Sequence, residues 1–229
     1  LREEACNYTK IENGLDEGIP LLFESVKESY KYHFDLGYEG YISINKELYE
    51  KLKKKYPQKE YLVKRNENLV DTTFMLTNVP IRINDLWIPD CKVTYRPGFD
   101  TNLLGVGFIE RFNFMLGYQK GNKKIVAKED LYLQLRRTAS KSNDFVYCPS
   151  KGFDVEYSED GAVVSFLEIN GEASRKGLKI GDKVLEINHG AVCLSADSIK
   201  LGKVTLHINN CNELELKIKR NNKTVYMNI

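Results

Sequence analysis

The C-terminal stretch Leu214-Glu-Leu-Lys-Ile-Lys-Arg-Asn-Asn-Lys-Thr-Val-Tyr-Met-Asn-Ile229 alternates apolar and polar residues on both sides of Asn221-Asn222. Period-two alternation marks a half-buried strand, and an Asn pair suits the left-handed centre of a two-residue hairpin turn. Such a turn sets Ile218 opposite Val225, Leu216 opposite Met227 and Leu214 opposite Ile229. All six then share one buried face, so turn and pattern demand the same register. The chain is expected to end in a hairpin, and the fold class that follows is mainly β.

The same period recurs upstream. Pro20 to Val26 and Tyr30 to Phe34 read as strands joined by a turn at Lys27-Glu-Ser29, and Gly40 to Ile44 is another short β run. Asn45 is a good N-cap, and Lys46 to Tyr56 reads as a helix with Pro57 beyond it. Further strand-like runs cover Tyr61 to Lys64, Thr72 to Leu76, Val79 to Ile83 and Lys92 to Tyr95, before a short helix from Phe108 to Phe112. Residues 114–135 return to strands, with Tyr118 to Lys123 as a turn and Ile125 to Ala127 and Leu131 to Leu135 as arms. The polar stretch after Leu135 has no periodicity. These readings divide the chain into a first domain over 1–137, a linker over 138–149 and a second domain over 150–229.

Composition narrows the function classes. Of 229 residues, 42% are hydrophobic and 29% charged, which is ordinary for a globular chain and excludes a disordered or fibrous one. Lys and Arg number 34 against 32 Asp and Glu, so the net charge of +2 gives no reason to expect a nucleic acid or an anionic membrane as partner. No apolar run is long enough for a membrane-spanning segment. Leu1 is not an initiator Met, so the chain reads as a mature form or a fragment, with any targeting segment out of view.

Five cysteines are present, Cys6, Cys91, Cys148, Cys193 and Cys211, none in a C-x-x-C pair, and there are three histidines. This pattern gives no zinc site, no metal and no cofactor, and it leaves a Cys6–Cys91 bridge or buried thiols open. Gly105-Val106-Gly107 lacks the third glycine of a dinucleotide fingerprint.

Residues 161–190, Gly161-Ala-Val-Val-Ser-Phe-Leu-Glu-Ile-Asn-Gly-Glu-Ala-Ser-Arg-Lys-Gly-Leu-Lys-Ile-Gly-Asp-Lys-Val-Leu-Glu-Ile-Asn-His-Gly190, resemble the core of a bacterial PDZ domain. The matching features are a strand, a short helix around Ala173 to Lys176, Gly177-Leu178, Gly181-Asp182 and the strand Val184 to Asn188. The resemblance implies a PDZ-like β-barrel with short helices that binds an extended peptide by strand addition, its terminal carboxylate held by backbone N–H groups of a Gly-containing loop. That loop would be Lys151-Gly152-Phe153-Asp154-Val155. The plain alternative is that Gly152 only turns the chain into a strand.

Two separated pieces of the first domain resemble a retropepsin-like lobe over residues 18–135. One is Phe34-Asp35-Leu36-Gly37-Tyr38-Glu39-Gly40-Tyr41-Ile42-Ser43, similar to the hydrophobic–Asp–Thr–Gly–Ala/Ser–x–Gly loop of that family. The other is Asn102-Leu103-Leu104-Gly105-Val106-Gly107-Phe108-Ile109-Glu110-Arg111-Phe112-Asn113, similar to the segment and helix that close such a lobe. A lobe followed by a PDZ unit resembles a bacterial family of aspartyl peptidases of the cell envelope or secreted space. The resemblance implies an extracytoplasmic location, periplasmic or secreted, and a β-barrel acid-protease lobe. It also implies one catalytic carboxylate, Asp35, on a tight turn permitted by Gly37. Two carboxylates must share a proton in this chemistry. The partner of Asp35 would come from a second lobe, upstream or in a dimer, and the substrate would be a peptide or protein.

The loop departs from the family pattern at two positions. Leu36 stands where a Thr hydroxyl braces the paired loops, and Tyr38 replaces Ala or Ser and would crowd a catalytic water. A second function class is therefore a non-catalytic peptide- or protein-binding scaffold with a degenerate lobe, in which Leu36 fills an apolar site. Asp71-Thr72-Thr73 and Asp100-Thr101-Asn102 lack the glycine of the tight turn and are not catalytic candidates, though Asp100 suits a cap.

Overall fold

The computed structural model describes residues 9–12, 18–38, 40–66, 69–109, 112–118, 131–137, 151–158, 161–189, 192–195 and 213–229. In chain order they form β1 (Thr9–Glu12), β2 (Ile19–Phe23), β3 (Glu28–Phe34), β4 (Ile42–Ser43), α1 (Lys46–Leu52), β5 (Gln58–Asn66), β6 (Leu69–Ile83), β7 (Leu86–Tyr95), β8 (Leu103–Leu104), α2 (Val106–Ile109), β9 (Phe112–Tyr118) and β10 (Leu131–Arg137). There follow β11 (Phe153–Ser158), β12 (Gly161–Glu168), α3 (Glu172–Arg175), β13 (Lys183–His189), β14 (Val192–Ser195), β15 (Glu215–Arg220) and β16 (Lys223–Asn228). The fold is mainly β, as the alternation demanded. Among the described residues no helix is long and apolar enough to cross a membrane. The proposed linker, Cys6, Cys148 and Cys211 lie outside the described residues.

The chain divides into two compact units, Leu1–Gln58 with Met75–Asn143, and Lys59–Phe74 with Asp144–Ile229. The segment Lys59–Phe74 thus clusters with the second unit, although it lies inside the stretch 1–137 read as the first domain.

In the first unit β6, β2, β3, β8, β4 and β7 pair in that order, and β6 also pairs with β7, which closes a six-stranded barrel. Ile19, Leu21 and Phe23 of β2 alternate with half-buried residues and share the core with Ile81 and Ile83 of β6. The turns use residues that tolerate left-handed backbone: Lys27 between β2 and β3 has φ +57° and Asn84 between β6 and β7 has φ +51°. A separate sheet of β1, β10 and β9 carries the expected arm Leu131–Leu135 as β10, while Tyr118, expected to open a turn, ends β9, and the other expected arm, Ile125–Ala127, lies outside the described residues.

Several expected boundaries shift. The helix begins as read, with Asn45 Oδ1 accepting the Leu48 N–H at 2.9 Å, but it ends at Leu52, and Lys53–Tyr56 tighten into a turn ahead of Pro57. The runs 72–76 and 79–83 join into one long β6, although Asn78 within it takes φ +59°. Strand β7 starts at Leu86, ahead of the expected Lys92, and accommodates Pro89 within it. The short helix is Val106–Ile109, and Phe112 opens β9.

In the second unit β16, β15, β13 and β12 pair in order, with β14 on β13 and β11 on β12. The terminal hairpin has the register set by its turn: Ile218 faces Val225 and Leu216 faces Met227, while Leu214 and Ile229 exchange backbone hydrogen bonds at 2.8 and 2.9 Å. Asn221 and Asn222 both have positive φ, +49° and +61°. Leu214, Leu216, Ile218 and Ile229 are buried, and Val225 and Met227 pack partly buried against the same core.

Strand β12 uses both edges. One pairs with β11. The other is shared: Ala162 and Val163 pair with β13, and Phe166, Leu167 and Glu168 pair with Val63, Leu62 and Tyr61 of β5. The Tyr61 ring stacks on Phe166 with centroids 4.6 Å apart, the Ile169 N–H donates to the Glu60 carbonyl at 2.8 Å, and Lys59 pairs with Glu168 at 3.0 Å.

Candidate functional site

The two pieces that carry the peptidase resemblance meet in the barrel. Strand β8 lies between β3 and β4: Phe34 pairs in parallel with Leu104, and Ile42 pairs antiparallel with the same residue. The chain from Asp35 to Tyr41 therefore passes from one edge of β8 to the other. Each side of this crossing is held by backbone. The Asp35 N–H donates to the Leu104 carbonyl at 3.0 Å, Gly105 N–H to the Tyr41 carbonyl at 2.8 Å, Val106 N–H to the Tyr38 carbonyl at 2.9 Å and Gly107 N–H to the Gly40 carbonyl at 3.1 Å.

Glycine is required where these segments touch. A Cβ on Gly105 would lie 2.2 Å from the Gly40 oxygen and 2.3 Å from the Tyr38 oxygen, closer than carbon and oxygen can approach. The loop tip is a turn closed on its own aspartate. Gly37 N–H donates to Asp35 Oδ1 at 2.9 Å, and Tyr38 N–H donates to the Asp35 carbonyl at 3.1 Å. The Asp35 carboxylate thus sits on a short turn between β3 and β4, half-buried, with hydrogen-bonding capacity beyond the Gly37 contact.

Leu36 is 75% exposed at the tip, which corrects the expectation that it fills an apolar site. The turn places residue 36 outward, so its side chain meets no core. Tyr38 lies with its ring against Gly40, where a Cβ would come within 2.3 Å of the ring. Its hydroxyl is 2.6 Å from Thr94 Oγ1. Thr94 donates to the Ile42 carbonyl at 3.2 Å, which leaves its oxygen to accept from Tyr38. Sequence reading gave no sign of this brace, because Thr94 reaches the loop only through the parallel pairing of Ser43 with Thr94.

The two rejected aspartates have structural partners. Asp100 Oδ1 accepts the Lys46 N–H at 3.1 Å at the start of α1, and Asp71 pairs with Arg65 at 3.3 Å across the β5–β6 hairpin.

This chain is similar to a retropepsin-like aspartic protease from Rickettsia conorii, with 21% identity over 55% of this chain and 98% of that chain and a TM-score of 0.36. No family model matches the chain, and no curated protein matches it.

In the second unit the loop Lys151–Val155 leads into β11. Gly152 has φ +73°, and its carbonyl accepts the Glu168 N–H at 2.7 Å. Phe153 and Val155 belong to the hydrophobic core. Lys151 is buried, with its ammonium 3.5 Å from Glu172. The Val155 N–H donates to Asp154 Oδ1 at 2.8 Å, at an irregularity where the register of β11 against β12 shifts. Among the described residues β11 pairs with β12 alone.

Proposed function

We propose that this chain contributes one half of an aspartic-type peptidase site, Asp35, together with a peptide-binding unit. The observation that supports this most is the backbone joining of the Asp35–Tyr41 loop to β8 and Gly105, with the Asp35 carboxylate on a tight turn closed by Gly37. One carboxylate alone cannot both activate water and protonate the scissile carbonyl. The second comes from another lobe, upstream in a longer chain or in a second copy, with one proton shared between the two. Water attacks the peptide carbonyl, the charged carboxylate takes the water proton, and the protonated one donates to the carbonyl oxygen. The resulting diol then breaks its C–N bond. The newly protonated carboxyl gives its proton to the leaving nitrogen and the other carboxylate takes one from a diol hydroxyl, which restores the single shared proton. Peptide hydrolysis is then confined to pH values at which the pair holds one proton.

The second unit resembles a PDZ domain in its sequence, and we assign it the docking of an extended peptide along β11, with Lys151, Gly152, Phe153, Asp154 and Val155 at the end of the groove. Docking there raises the local concentration of substrate for the lobe. From the resemblance of a lobe followed by a PDZ unit to a cell-envelope or secreted family, we assign the protein to the extracytoplasmic space.

A second reading, a binding scaffold without catalysis, is favoured by Leu36, which carries no hydroxyl to brace a facing loop. Cleavage of a mixed peptide pool from acidic to neutral pH, by parent and Asp35→Asn, separates the two. Cleavage lost in Asp35→Asn supports the peptidase reading. No cleavage by any assembly that brings two lobes together supports the scaffold.

A further inference from the structure

The Asp35 turn is tied to the barrel differently at its two ends. At its start the Asp35 N–H donates to the Leu104 carbonyl at 3.0 Å. At its end Tyr38 uses three groups. Its N–H donates to the Asp35 carbonyl at 3.1 Å, its carbonyl accepts the Val106 N–H at 2.9 Å, and its hydroxyl meets Thr94 Oγ1 at 2.6 Å. Thr94 is buried and is itself fixed on β7. It pairs with Ser43 of β4, its carbonyl accepts the Ile44 N–H at 2.9 Å, and its hydroxyl donates to the Ile42 carbonyl at 3.2 Å. The phenol also has its place cleared by Gly40: a Cβ there would lie 2.3 Å from the hydroxyl oxygen and would push it aside. Leu36, by contrast, is exposed and carries no hydroxyl. Movement at Tyr38 is passed to the aspartate, because Tyr38 N–H is bonded to the Asp35 carbonyl and the Gly37 N–H between them to the Asp35 carboxylate.

Taking Asp35 as one half of a peptidase site, we infer that Tyr38 is a positioning residue: its hydroxyl, held by Thr94, sets the Asp35 turn from within the lobe and supplies part of the hold that Leu36 cannot give. Two consequences distinguish this tether from a brace shared between lobes. The turn is set before a second lobe arrives, so the tether can be read in the unpaired chain. In the paired site its effect falls on where the carboxylate stands during the chemical step, which raises kcat and leaves KM alone, because the tether grips the turn.

The test compares the full chain with its Tyr38→Phe, Thr94→Val and Thr94→Ser variants. The first two each remove one hydroxyl of the pair, and Thr94→Ser keeps it; thermal melts check that all are folded. The Tyr38 and Val106 N–H groups are expected to exchange with solvent about tenfold faster in Tyr38→Phe and Thr94→Val than in the parent or Thr94→Ser. The amides of Phe23 and Ile81, paired across β2 and β6, should be unchanged. In the lobe-paired assembly, on a peptide taken from the cleaved pool, both variants are expected to lower kcat about tenfold or more and to leave KM within about twofold. Thr94→Ser should restore kcat, and the double variant should lose no more than either single one. Faster exchange with kcat unchanged, or a raised KM at constant kcat, overturns the positioning role and leaves the peptidase reading intact. Unchanged exchange in folded variants overturns the tether itself. Absence of cleavage by the parent in every lobe-paired assembly overturns the peptidase reading and this role with it.

Discussion

Gly105 lies against Gly40 so closely that a methyl group on Gly105 would sit 2.2 Å from the Gly40 carbonyl oxygen. The contact is backbone on backbone, so no side-chain rotation relieves it. Gly105→Ala is expected to destabilise the barrel unit by about 2–4 kcal/mol, the upper range for an overpacked core. Gly98→Ala is the control: Gly98 has φ +78° with open space around it, so strain alone acts and the cost is about 1–2 kcal/mol. Chemical denaturation of the two variants measures the difference, and equal losses would show that the Gly105–Gly40 approach can relax.

Leu36 projects from the same loop into solvent. Leu36→Thr should therefore leave stability within about 0.5 kcal/mol of the parent. If the lobe works as a peptidase, turnover should rise, since a hydroxyl at this position can brace the loop of a facing lobe. Melting curves and a peptide-pool assay on the same preparations read both effects.

In the second unit, Asp182 is 2% exposed and accepts Arg220 through both oxygens, with Nε at 2.6 Å. It also takes the Lys179 N–H at 2.9 Å, and Arg220 reaches the Gly177 carbonyl at 2.8 Å. The Arg220 guanidinium is held above its ordinary range by these bonds to Asp182. Arg220→Met leaves a buried carboxylate uncompensated and is expected to cost about 3–5 kcal/mol. Adding Asp182→Ala should recover part of that loss, and a double-mutant cycle by denaturation gives the coupling.

Glu28 on β3 bonds Lys51 of α1 at 2.8 Å through both oxygens, and Lys51 also meets Glu47. The bond to Lys51, aided by Tyr30, draws the Glu28 carboxyl below its ordinary 4.5, and Glu28 with Glu47 raises the Lys51 ammonium. A carboxyl held lower in the folded chain favours folding above the unfolded value and ceases to do so as pH falls through the folded one. Stability should therefore decline from pH values near 4.5 downward, and Glu28→Gln should remove this share of the acid limb. Carboxyl resonances followed by NMR would show the Glu28 midpoint, and one at or above 4.5 would contradict the assignment.

What the sequence made legible was local. The Asn221-Asn222 hairpin could be read to its register because turn and alternation lie within one short stretch. The pieces around Asp35 and Leu104 could be matched because each carries its own glycines. What stayed hidden depends on distant partners. Tyr38 finds Thr94 only after the barrel closes, and the exposure of Leu36 follows from the direction of a turn, which composition does not encode. Tyr61-Leu62-Val63 reads as an ordinary strand, and nothing in it names Phe166 to Glu168 as its neighbour.

That last pairing has a consequence for synthesis on the ribosome. Tyr61 emerges roughly 100 residues before Phe166, about 5–20 s earlier at common elongation rates. During that interval the β5 edge waits without its mate, as a template open to strands of neighbouring nascent chains. Its apolar run is only Tyr61-Leu62-Val63, flanked by Lys59 and Glu60 on one side and Lys64 and Arg65 on the other. Those charges guard the waiting edge against the wrong strand until the right one is made.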